Sequence, residues 1–490
     1  MPFQPVWLLT DLLIYLLIAA FFLALVYALK REHLRAPLRQ VRKKPMAMAA
    51  LMVLLGYLAI GLSDSFHFRS LRGGGERTAP VGRGGEGSIV TDDETGGSSG
   101  DLIYSPEVLS LLDLLVGPLR TNVEKSYSAP LAIHAFAKET MEDDHGQKNR
   151  IFPRLLYGGN QIKSAEDHAS DVYYTGVCGI VQGLITGFLL SVIGIFVMSR
   201  VHHDSMSNTM LGVLRGRYDT AWGSIFLTGS LILVVGWMMV SLSSRYHILG
   251  TDKVGQDVLY LSLKSVRTGL VIGTLTTLIM LPFAVFLGIL AGYCKGKIDE
   301  AIQFLYTTLS SVPGVLLVAA AILMLEMYMD THADAFVTSA ERADARLFFL
   351  CLILGTTGWI GLCRLLRGET LKLSELEYVQ AAVALGVGHG KILLRHILPN
   401  VMHIILISAV LDFSGLVLAE AVLSYVGIGV DPAMISWGNM INSARLEMAR
   451  EPIVWWPLVA AFVSMFGLVL SANIVSDAVR DGFDPRLRSR

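Results

Sequence analysis

The chain has 490 residues, of which 53% are hydrophobic and 17% are charged, with a mean hydropathy of +0.55 and a net charge of −1. Soluble globular proteins are about 45–50% apolar and about 25% charged, so this composition excludes an ordinary soluble domain. The near-neutral charge gives no basis for nucleic-acid binding. Cys178, Cys294, Cys351 and Cys363 lie in or beside apolar stretches without metal-ligand spacing, which indicates helix packing rather than a metal site.

Several apolar stretches are long enough to cross about 30 Å of hydrocarbon as helices. We therefore predict an all-α polytopic membrane protein with about nine transmembrane helices. They are expected at about 7–29, 46–63, 176–199, 221–243, 265–292, 305–327, 346–364, 401–425 and 455–475. The first stretch is too long for the apolar region of a signal peptide, so we expect it to be retained.

Basic residues between the helices predict the orientation. Residues 30–44 hold seven Lys or Arg against one Glu, which places this loop in the cytoplasm. Alternation then puts the loops near 200–220, 293–304 and 365–400 on the same side, and each of them contains Lys or Arg. The N-terminus is therefore expected outside and the C-terminus in the cytoplasm.

The N-terminal part of the chain divides into three predicted regions. Residues 1–63 carry two membrane helices and the basic loop, 64–175 form an extracytoplasmic loop, and 176–220 add one helix and a cytoplasmic loop. The loop 64–175 is expected to be partly disordered, because its Gly-rich stretch 73–100 cannot bury enough apolar surface to fold. The apolar spacing over 108–115 predicts a short amphipathic helix there.

The most informative segment is the predicted cytoplasmic loop 365–400, which reads as helix, glycine turn, helix. Apolar residues at helical spacing predict one apolar face: Leu373, Leu376, Val379 and Ala382. Small side chains at Ala381 and Ala382 would let another surface approach closely. Glycines at 386, 388 and 390 permit a sharp reversal, and Pro399 suits the first turn of the next helix. On these grounds alone the loop either lies on the membrane surface or docks a cytoplasmic partner.

This segment resembles the signature loop of the permease subunits of ATP-binding-cassette importers, usually written E-A-A-x3-G-x9-I-x-L-P. The matching positions are Ala381, Ala382, Gly386, Leu398 and Pro399. Arg395, His396 and Asn400 fit the dipeptide, oligopeptide and nickel branch, in which the loop ends in R-H-x-L-P-N. Gln380 stands where the motif has Glu, so an ion pair inferred for that Glu is in doubt here.

Further segments resemble the family in the same order over residues 245–490. Residues 247–257 look like its H-P-L-G-T-D-x-x-G-R-D segment, with matches at Gly250, Thr251, Asp252, Gly255 and Asp257. The other similar segments are 292–300, 311–313, 420–429, 436–438 and 480–485. The resemblance implies a six-helix importer-permease core over 221–490, with an atypical N-terminal extension. In the alternative, the family's usual start lies at Arg42, and an insertion follows the helix 46–63; contiguity slightly favours the first arrangement.

The resemblance also implies the partners of this chain. They are a second homologous permease subunit, two cytoplasmic ATP-binding subunits that hold ATP and Mg, an extracytoplasmic solute-binding protein and the lipid bilayer of a bacterial inner membrane. The chain itself is expected to be no enzyme and to bind no cofactor. The loop 365–400 would couple ATP hydrolysis on the partners to uptake of peptides or similar small solutes. Residues 386–391 lack the spacing of a phosphate-binding loop, so the ATPase must be another chain.

Two carboxylates in the predicted helices deserve a functional reading, because intramembrane charges are costly. Asp412 and Glu420 would line the solute path or a subunit interface, or else make contacts inside the bundle. Residues 202–204 (His-His-Asp) read as a solvated loop rather than a metal site, because adjacent histidines point to different sides. The alternative function is a secondary transporter driven by an ion gradient, which would require paired broken helices and several buried charges.

Overall fold

Apolar segments form helices in this protein because, away from water, the backbone must satisfy its own hydrogen bonds. The computed structural model describes residues 3–16, 18–19, 39–70, 108–142, 148–162, 165–332 and 338–483. The helices in chain order are α1 (Pro45–Asp64), α2 (Leu111–Leu115), α3 (Gly117–Thr121), α4 (His168–His202), α5 (Met206–Leu214), α6 (Trp222–Ser243), α7 (Val258–Cys294), α8 (Gly296–Ser310), α9 (Gly314–Thr331), α10 (Ser339–Gly358), α11 (Ile360–Ser374), α12 (Glu377–Ala384), α13 (His389–Ile392), α14 (Leu398–Tyr425), α15 (Trp437–Glu447) and α16 (Trp456–Phe483).

Within the described residues, eight helical stretches are long and apolar enough to cross a membrane. They are α1, α4, α6, α7, α9, the continuous run Ser339–Ser374, the run His389–Tyr425 and α16. Each corresponds to one of the predicted membrane helices, which confirms the all-α polytopic fold. The remaining prediction, 7–29, lies mostly outside the described residues, although 9–16 are helical.

One predicted boundary is wrong. The stretch 305–327 is not a single helix, because the chain breaks at Ser311 and Pro313, and α9 begins only at Gly314. Proline cannot donate the backbone hydrogen bond that would continue a helix. Residues before the break form α8, an amphipathic helix that buries Ile302 and Tyr306 and exposes Phe304. Four other predicted spans, 176–199, 265–292, 346–364 and 401–425, begin earlier in the structure, and the run that contains 346–364 also continues to Ser374.

Among the described residues, two small antiparallel sheets interrupt the helices. The first has the order β1 (Phe3–Val6), β2 (His67–Ser70) and β3 (Leu109–Ser110), with Phe3 opposite Ser70. The second pairs β4 (Glu139–Glu142) with β5 (Lys148–Ile151). The predicted amphipathic helix over 108–115 is therefore shorter than expected, because 109–110 pair with β2 and only α2 is helical.

The helix ends define two ends of the bundle. At one end, Trp456 Nε1 donates to the Thr251 carbonyl at 3.0 Å, so α16 and α7 both begin there. We call this the cover end, because residues 108–142 and 148–162, here called the cover, pack on it. At the other end, Lys44 pairs with Asp481 and Lys295 pairs with Glu375. This is called the hairpin end.

Helices α1 and α6 pack chiefly on different neighbours. The α1 helix lies directly on α7 and α16: Tyr57 Oη donates to the Ser464 carbonyl at 2.8 Å, and Gly61 meets the Leu270 side chain. The α6 helix packs chiefly on α4, and its other large contact is with α1. A Cβ at Gly183 of α4 would overlap the backbone of Val234 of α6, so this pair approaches at backbone distance.

Candidate functional site

Within the predicted loop 365–400, the chain folds as a helical hairpin, whose first arm is α12 and whose second arm, after a glycine turn, is α13 with the π-helical turn Leu393–Ile397. The α12 helix ends at a Schellman motif, in which Gly386 N–H donates to Val383 and Val387 N–H donates to Ala382, at 2.9 and 3.1 Å. Gly386 has φ +75°, a conformation that side chains beyond glycine rarely adopt. Gly388 and Gly390 have ordinary φ values, so the reversal depends on one glycine rather than three.

The inner side of the hairpin is anchored in the helix bundle. Val379, Ala382, Ile392 and Ile397 are buried in one cluster with residues of α7 and α11. Ala382, predicted on the apolar face of this segment, packs against the bundle, so of the two small side chains only Ala381 is exposed. The apolar stripe predicted from residue 373 is broken, since Leu376 precedes α12 and is exposed.

The outer side of the hairpin carries large apolar side chains in the open. Leu385 is 83% exposed and Leu394 is 70% exposed, with Val383 at 46%. Gln380 and Ala381 are exposed on the same segment. The hairpin thus combines a fixed inner side with an apolar outer side.

Ion pairs connect the segments that lie beside the hairpin. Arg367 of α11 grips Asp299 of α8 through two bonds of 2.5 and 2.7 Å, and this guanidinium holds the pKa of Asp299 below its usual value. Lys295 pairs with Glu375 and lowers the pKa of that carboxyl. The Gln380 amide donates to the Glu375 carbonyl at 3.3 Å and to its carboxylate at 3.4 Å. A glutamate at 380 would instead face a second carboxylate.

A π-helical turn, Leu393–Ile397, joins the hairpin to α14. Leu398 begins α14 and Pro399 follows at its second position, where its missing N–H costs no helical bond. Asn400 donates to the His396 carbonyl at 2.7 Å and to Tyr378 Oη at 3.0 Å. His396 is half-buried, with its ring 6.3 Å from that of Tyr378. These residues shape the exit of the hairpin into the membrane helix.

The segment 247–257 forms a compact turn at the cover end. Asp257 caps α7 by accepting from the backbone N–H of Leu259 at 2.8 Å, and its other oxygen binds His247 Nδ1 at 2.8 Å. Asp252 accepts two backbone N–H groups within the turn, and burial raises its pKa. Gly250 and Gly255 have positive φ and lie against the cover, where a Cβ would overlap it. The glycines and aspartates of this segment thus maintain its backbone conformation.

The cover binds this segment through its backbone. Ser128 N–H donates to Thr251 Oγ1 at 2.7 Å, and Thr251 N–H returns a bond to the Ser128 carbonyl at 3.1 Å. Leu131 N–H donates to the His247 carbonyl at 2.9 Å, and Glu124 N–H donates to the Gly255 carbonyl at 3.0 Å. The segment that resembles the importer permeases is therefore enclosed by the chain's own N-terminal half.

The two candidate carboxylates of α14 differ in environment. Glu420 is 2% exposed and accepts from Ser424 Oγ at 2.7 Å and Ser436 Oγ at 3.0 Å, next to the N-terminus of α15. A carboxylate is stabilised at this end of a helix, so Glu420 connects α14 to α15. Asp412 is half-buried, and no side chain in the described part of the chain bonds to it. Of these two carboxylates, only that of Asp412 has no side-chain partner among the described residues.

Polar residues outside these segments form no metal site in the described part of the chain, but they do form a buried ionic group. Over the described ranges, no cluster of three or more His, Cys, Asp or Glu side chains is placed to hold a metal ion. His203 ends α4 with φ +55°, and the ring of His202 packs edge-on against Tyr218. A buried ionic group around Arg267 was not predicted, although Lys264 and Arg267 stand three apart in an apolar helix and could have signalled it.

Comparison with known proteins assigns the fold to a transport family. Residues 284–489 match the family described as binding-protein-dependent transport system inner membrane component. The oligopeptide transport system permease protein OppC of Haemophilus influenzae is 31% identical over 255 residues, which cover 51% of this chain and 75% of the relative.

Two further relatives show a similar extent of identity. OppC of Mycobacterium tuberculosis is 32% identical over 243 residues, 50% of this chain and 77% of the relative. The glutathione transport system permease protein GsiD of Pectobacterium atrosepticum is 32% identical over 247 residues, 50% of this chain and 75% of the relative. The chain therefore belongs to the binding-protein-dependent transport system inner membrane components and is a multi-pass permease subunit of an ATP-binding-cassette importer, in the branch that contains OppC and GsiD.

Proposed function

We propose that this chain pairs with a second homologous permease to form a solute path through the membrane. Two separate ATP-binding subunits, which hold ATP and Mg, would drive transport, and an extracytoplasmic binding protein would deliver the solute. Relatives named for oligopeptide and glutathione transport support peptides or similar small solutes as the cargo class. The chain would itself bind no nucleotide and catalyse no reaction.

The exposed apolar side of the hairpin is the observation that carries this proposal. Leu385 is 83% exposed and Leu394 is 70% exposed, and Gln380 and Ala381 of the same segment are exposed as well. Burial of such side chains by a partner would favour binding through the hydrophobic effect. Because Val379 and Ile392 fix the inner side, a displacement of the docked ATPase would move α11 and α14 as well.

The distribution of basic residues supports the proposed orientation. The hairpin end holds Lys44, Lys295 and Arg367, together with Arg39 and Lys43, which pair with Asp219. Basic residues in short loops favour the cytoplasmic side. The hairpin and the C-terminal end of α16 would therefore face the cytoplasm, and β1 with the cover would lie outside.

We also propose that α1 is the first helix of the six-helix core. It packs on α7 and α16 through Tyr57 and Gly61, whereas α6 lies outside it against α4. This arrangement corresponds to the alternative in which the family's start lies near Arg42. Residues from β2 to the end of α6 would then be an insertion that carries the cover and its own membrane-helix pair.

The docking proposal is tested with Leu385→Glu, which places a charge on the outer side of the hairpin without disturbing its buried side. Leu446→Glu is the matched control, because Leu446 is 67% exposed at the cover end of the bundle. We expect Leu385→Glu to abolish co-purification with ATP-hydrolysing subunits while membrane insertion is retained. Full association of Leu385→Glu, or equal loss in both variants, would contradict the proposal.

A second pair of variants tests the shape of the hairpin. Gly386→Ala and Gly388→Ala add the same methyl group, and neither new Cβ would meet another atom within 4 Å. Only Gly386 has a positive φ, so only its substitution strains the turn, by roughly 1 kcal/mol. We expect lower ATP-driven uptake for Gly386→Ala and normal uptake for Gly388→Ala.

A further inference from the structure

The N-terminal residues 3–16, here called the strap, contact the permease core at a place that the proposed function leaves unexplained. Its strand β1 pairs with β2, which follows α1, and its residues 9–16 form a helical segment. Tyr15 Oη donates to the Ser65 carbonyl at 3.1 Å, which fixes the segment beside the end of α1. The strap is thus held from one side by the extension and presents its other side to the core.

On the core side, the strap binds a buried arginine of α7. Arg267 Nε and Nη2 donate to Asp11 Oδ1 at 3.1 and 2.6 Å, and Nη2 also donates to Thr10 Oγ1 at 3.0 Å. Asp11 Oδ2 lies 2.7 Å from His67 Nδ1 of β2. The guanidinium therefore receives its closest counter-charge from the strap and not from the permease core.

The same residues of the strap also bind α10. Thr10 N–H donates to Asp344 Oδ2 at 3.1 Å, and the Thr10 hydroxyl bonds to Asp344 Oδ1. Arg267 Nη2 lies 3.6 Å from Asp344 Oδ1. Thr10 and Asp11 together therefore connect α7 with α10 at the cover end.

Apolar contacts follow the polar ones along the strap. Leu13 and Ile14 pack against a cluster that includes Ile272 of α7 and Leu347 of α10. Both core residues are fully buried. Leu13 and Ile14 thus extend the contact of the strap with the core beyond Thr10 and Asp11.

The charges of this group resist separation. Arg267 is 6% exposed, Asp11 is 1% exposed and Asp344 is 2% exposed. Removing a buried ion from its partner leaves an uncompensated charge in a medium of low dielectric constant, which is strongly unfavourable. A motion that parts α7 from α10 here would have to break this group in every transport cycle.

We infer that the strap is a brace that makes the cover ends of α7 and α10 move as one body during transport, with Thr10 and Asp11 as its positioning residues. This inference rests on the proposed function, because it concerns how motion driven by the ATPases is distributed among the membrane helices. The N-terminal extension then acts in transport itself, rather than as an appended domain.

A second ionic contact provides the matched control. Lys264, one turn from Arg267 on α7, bonds both oxygens of Asp113 at 2.8 Å and lies 3.8 Å from Asp64. These carboxylates belong to α2 and α1, and neither bonds to α10 in the described part of the chain. The Lys264 contact therefore attaches α1 and the cover to α7 without connecting α7 to α10.

The first experiment compares Asp11→Asn and Thr10→Val with Asp113→Asn in the assembled, reconstituted importer. The measurement is solute uptake per ATP hydrolysed. We expect the ratio to fall about fivefold or more for the two strap variants and to stay near the wild-type ratio for Asp113→Asn. Thr10→Val removes no charge, so it keeps the test valid if Asp11→Asn fails to fold. Equal ratios in all variants would overturn the inference.

The second experiment replaces the contact by a covalent bond. In a chain whose four native cysteines are alanine, Thr10→Cys and Asp344→Cys are introduced together and oxidised to a disulfide. We expect the reduced form to transport poorly and the oxidised form to regain uptake, because a brace functions while closed. Loss of uptake on oxidation would show that the contact must open, and would overturn the inference. Failure of the proposed function would appear differently, as an absence of ATPase association in the wild-type chain.

Discussion

The Nε2 atom of His247 lies 3.5 Å from Oε1 of Glu124, so one buried imidazole links the permease segment to the cover. The other ring nitrogen binds Asp257 at the start of α7. The Glu124 carboxylate also accepts the backbone N–H groups of Leu156, Tyr157 and Gly158, at 2.8 to 3.1 Å. A charged histidine between two carboxylates thus joins both segments of the cover, 108–142 and 148–162, to the bundle.

This pairing predicts that docking of the cover depends on pH. Burial opposes the charged imidazole, but the bond to Asp257 and the closeness of Glu124 outweigh burial and raise the pKa of His247 to about 9, from an ordinary 6.5. Its stabilising effect is therefore complete below pH 6.5 and is lost as the pH rises to about 9. The full shift corresponds to roughly 3 kcal/mol.

Glu124 determines how far the pH can fall before docking of the cover is weakened. Burial would raise its pKa, but His247 and the three backbone N–H groups lower it to about 2, from an ordinary 4.5. This contribution is complete above pH 4.5 and is lost as the pH falls towards 2. Docking should therefore be most stable between pH 4.5 and 6.5. The stability of docking can be measured by hydrogen exchange at the Ser128 and Leu131 amides, corrected for intrinsic rates. The variant His247→Gln should abolish the decrease in docking stability between pH 6.5 and 9.

The conformation and surroundings of Gly255 predict that the cover must approach the segment 247–257 very closely. It has φ +79°, and an added Cβ would overlap the Glu124 carbonyl, so Gly255→Ala combines backbone strain with a clash. We expect it to destabilise docking by about 2 kcal/mol or more, seen as faster exchange over residues 124–131. Gly216→Ala is the control, because Gly216 has φ +67° with nothing within 4 Å of a new Cβ. Unchanged exchange in Gly255→Ala would contradict the close approach.

The pair formed by α4 and α6 depends on small residues. Gly179, Gly183 and Gly187 stand four apart on α4 and meet α6 at its backbone or at Ser230. Gly183→Ala should force the helices apart and cost about 1–3 kcal/mol, measured by thermal unfolding in nanodiscs. Gly236→Ala on α6, where a Cβ meets nothing within 4 Å, should be neutral or slightly stabilising. A similar melting temperature for both variants would exclude backbone contact between the helices.

The amino-acid sequence was most informative where a local property decides the structure. The length and apolarity of a stretch determine whether it can cross a membrane, so the span over 221–243 agrees closely with α6. A glycine turn between two helical segments was likewise expected at residues 386, 388 and 390, but only Gly386 has a positive φ, and the local sequence does not distinguish it from the other two. The four-residue glycine spacing of α4 is equally local, and it indicates a face that a second helix can approach closely.

Properties that depend on a partner distant in the chain could not be predicted in this way. Ala382 has a small side chain at helical spacing, but only the fold shows that it faces the bundle. The contact of Asp11 with Arg267 joins positions 256 residues apart, and nothing local to either residue indicates the other. The choice of the first core helix depends on packing in the same way: contiguity in sequence slightly favours 221–243, whereas our proposal of α1 rests on its contacts with α7 and α16.

The departure at Gln380 leads to a prediction about the hairpin. The Gln380 amide donates towards Glu375, which is already paired with Lys295, so Gln380→Glu would remove the donor and add a repulsive charge. We expect weaker association with the ATP-binding subunits at low ionic strength, with recovery in high salt because exposed charges are screened. Gln380→Ala removes the donor without adding charge and should show no salt dependence. Tighter association of Gln380→Glu at low salt would contradict this interpretation.

Substitution of Asp412 can distinguish a structural role of this carboxylate from a role in transport. It is half-buried on α14, and no side chain of the described residues bonds to it, whereas Glu420 on the same helix is fully paired. An unpaired carboxylate in a membrane helix lowers stability, so Asp412→Asn should leave thermal stability unchanged or raise it. If the carboxylate meets the solute or the second permease, uptake should fall in the same variant. Glu420→Gln provides the comparison: it should lower stability, because an amide replaces one acceptor oxygen of the carboxyl group by an NH2 group inside the buried network with Ser424 and Ser436. Lower stability together with normal uptake in Asp412→Asn would instead place Asp412 among the contacts that hold the bundle together.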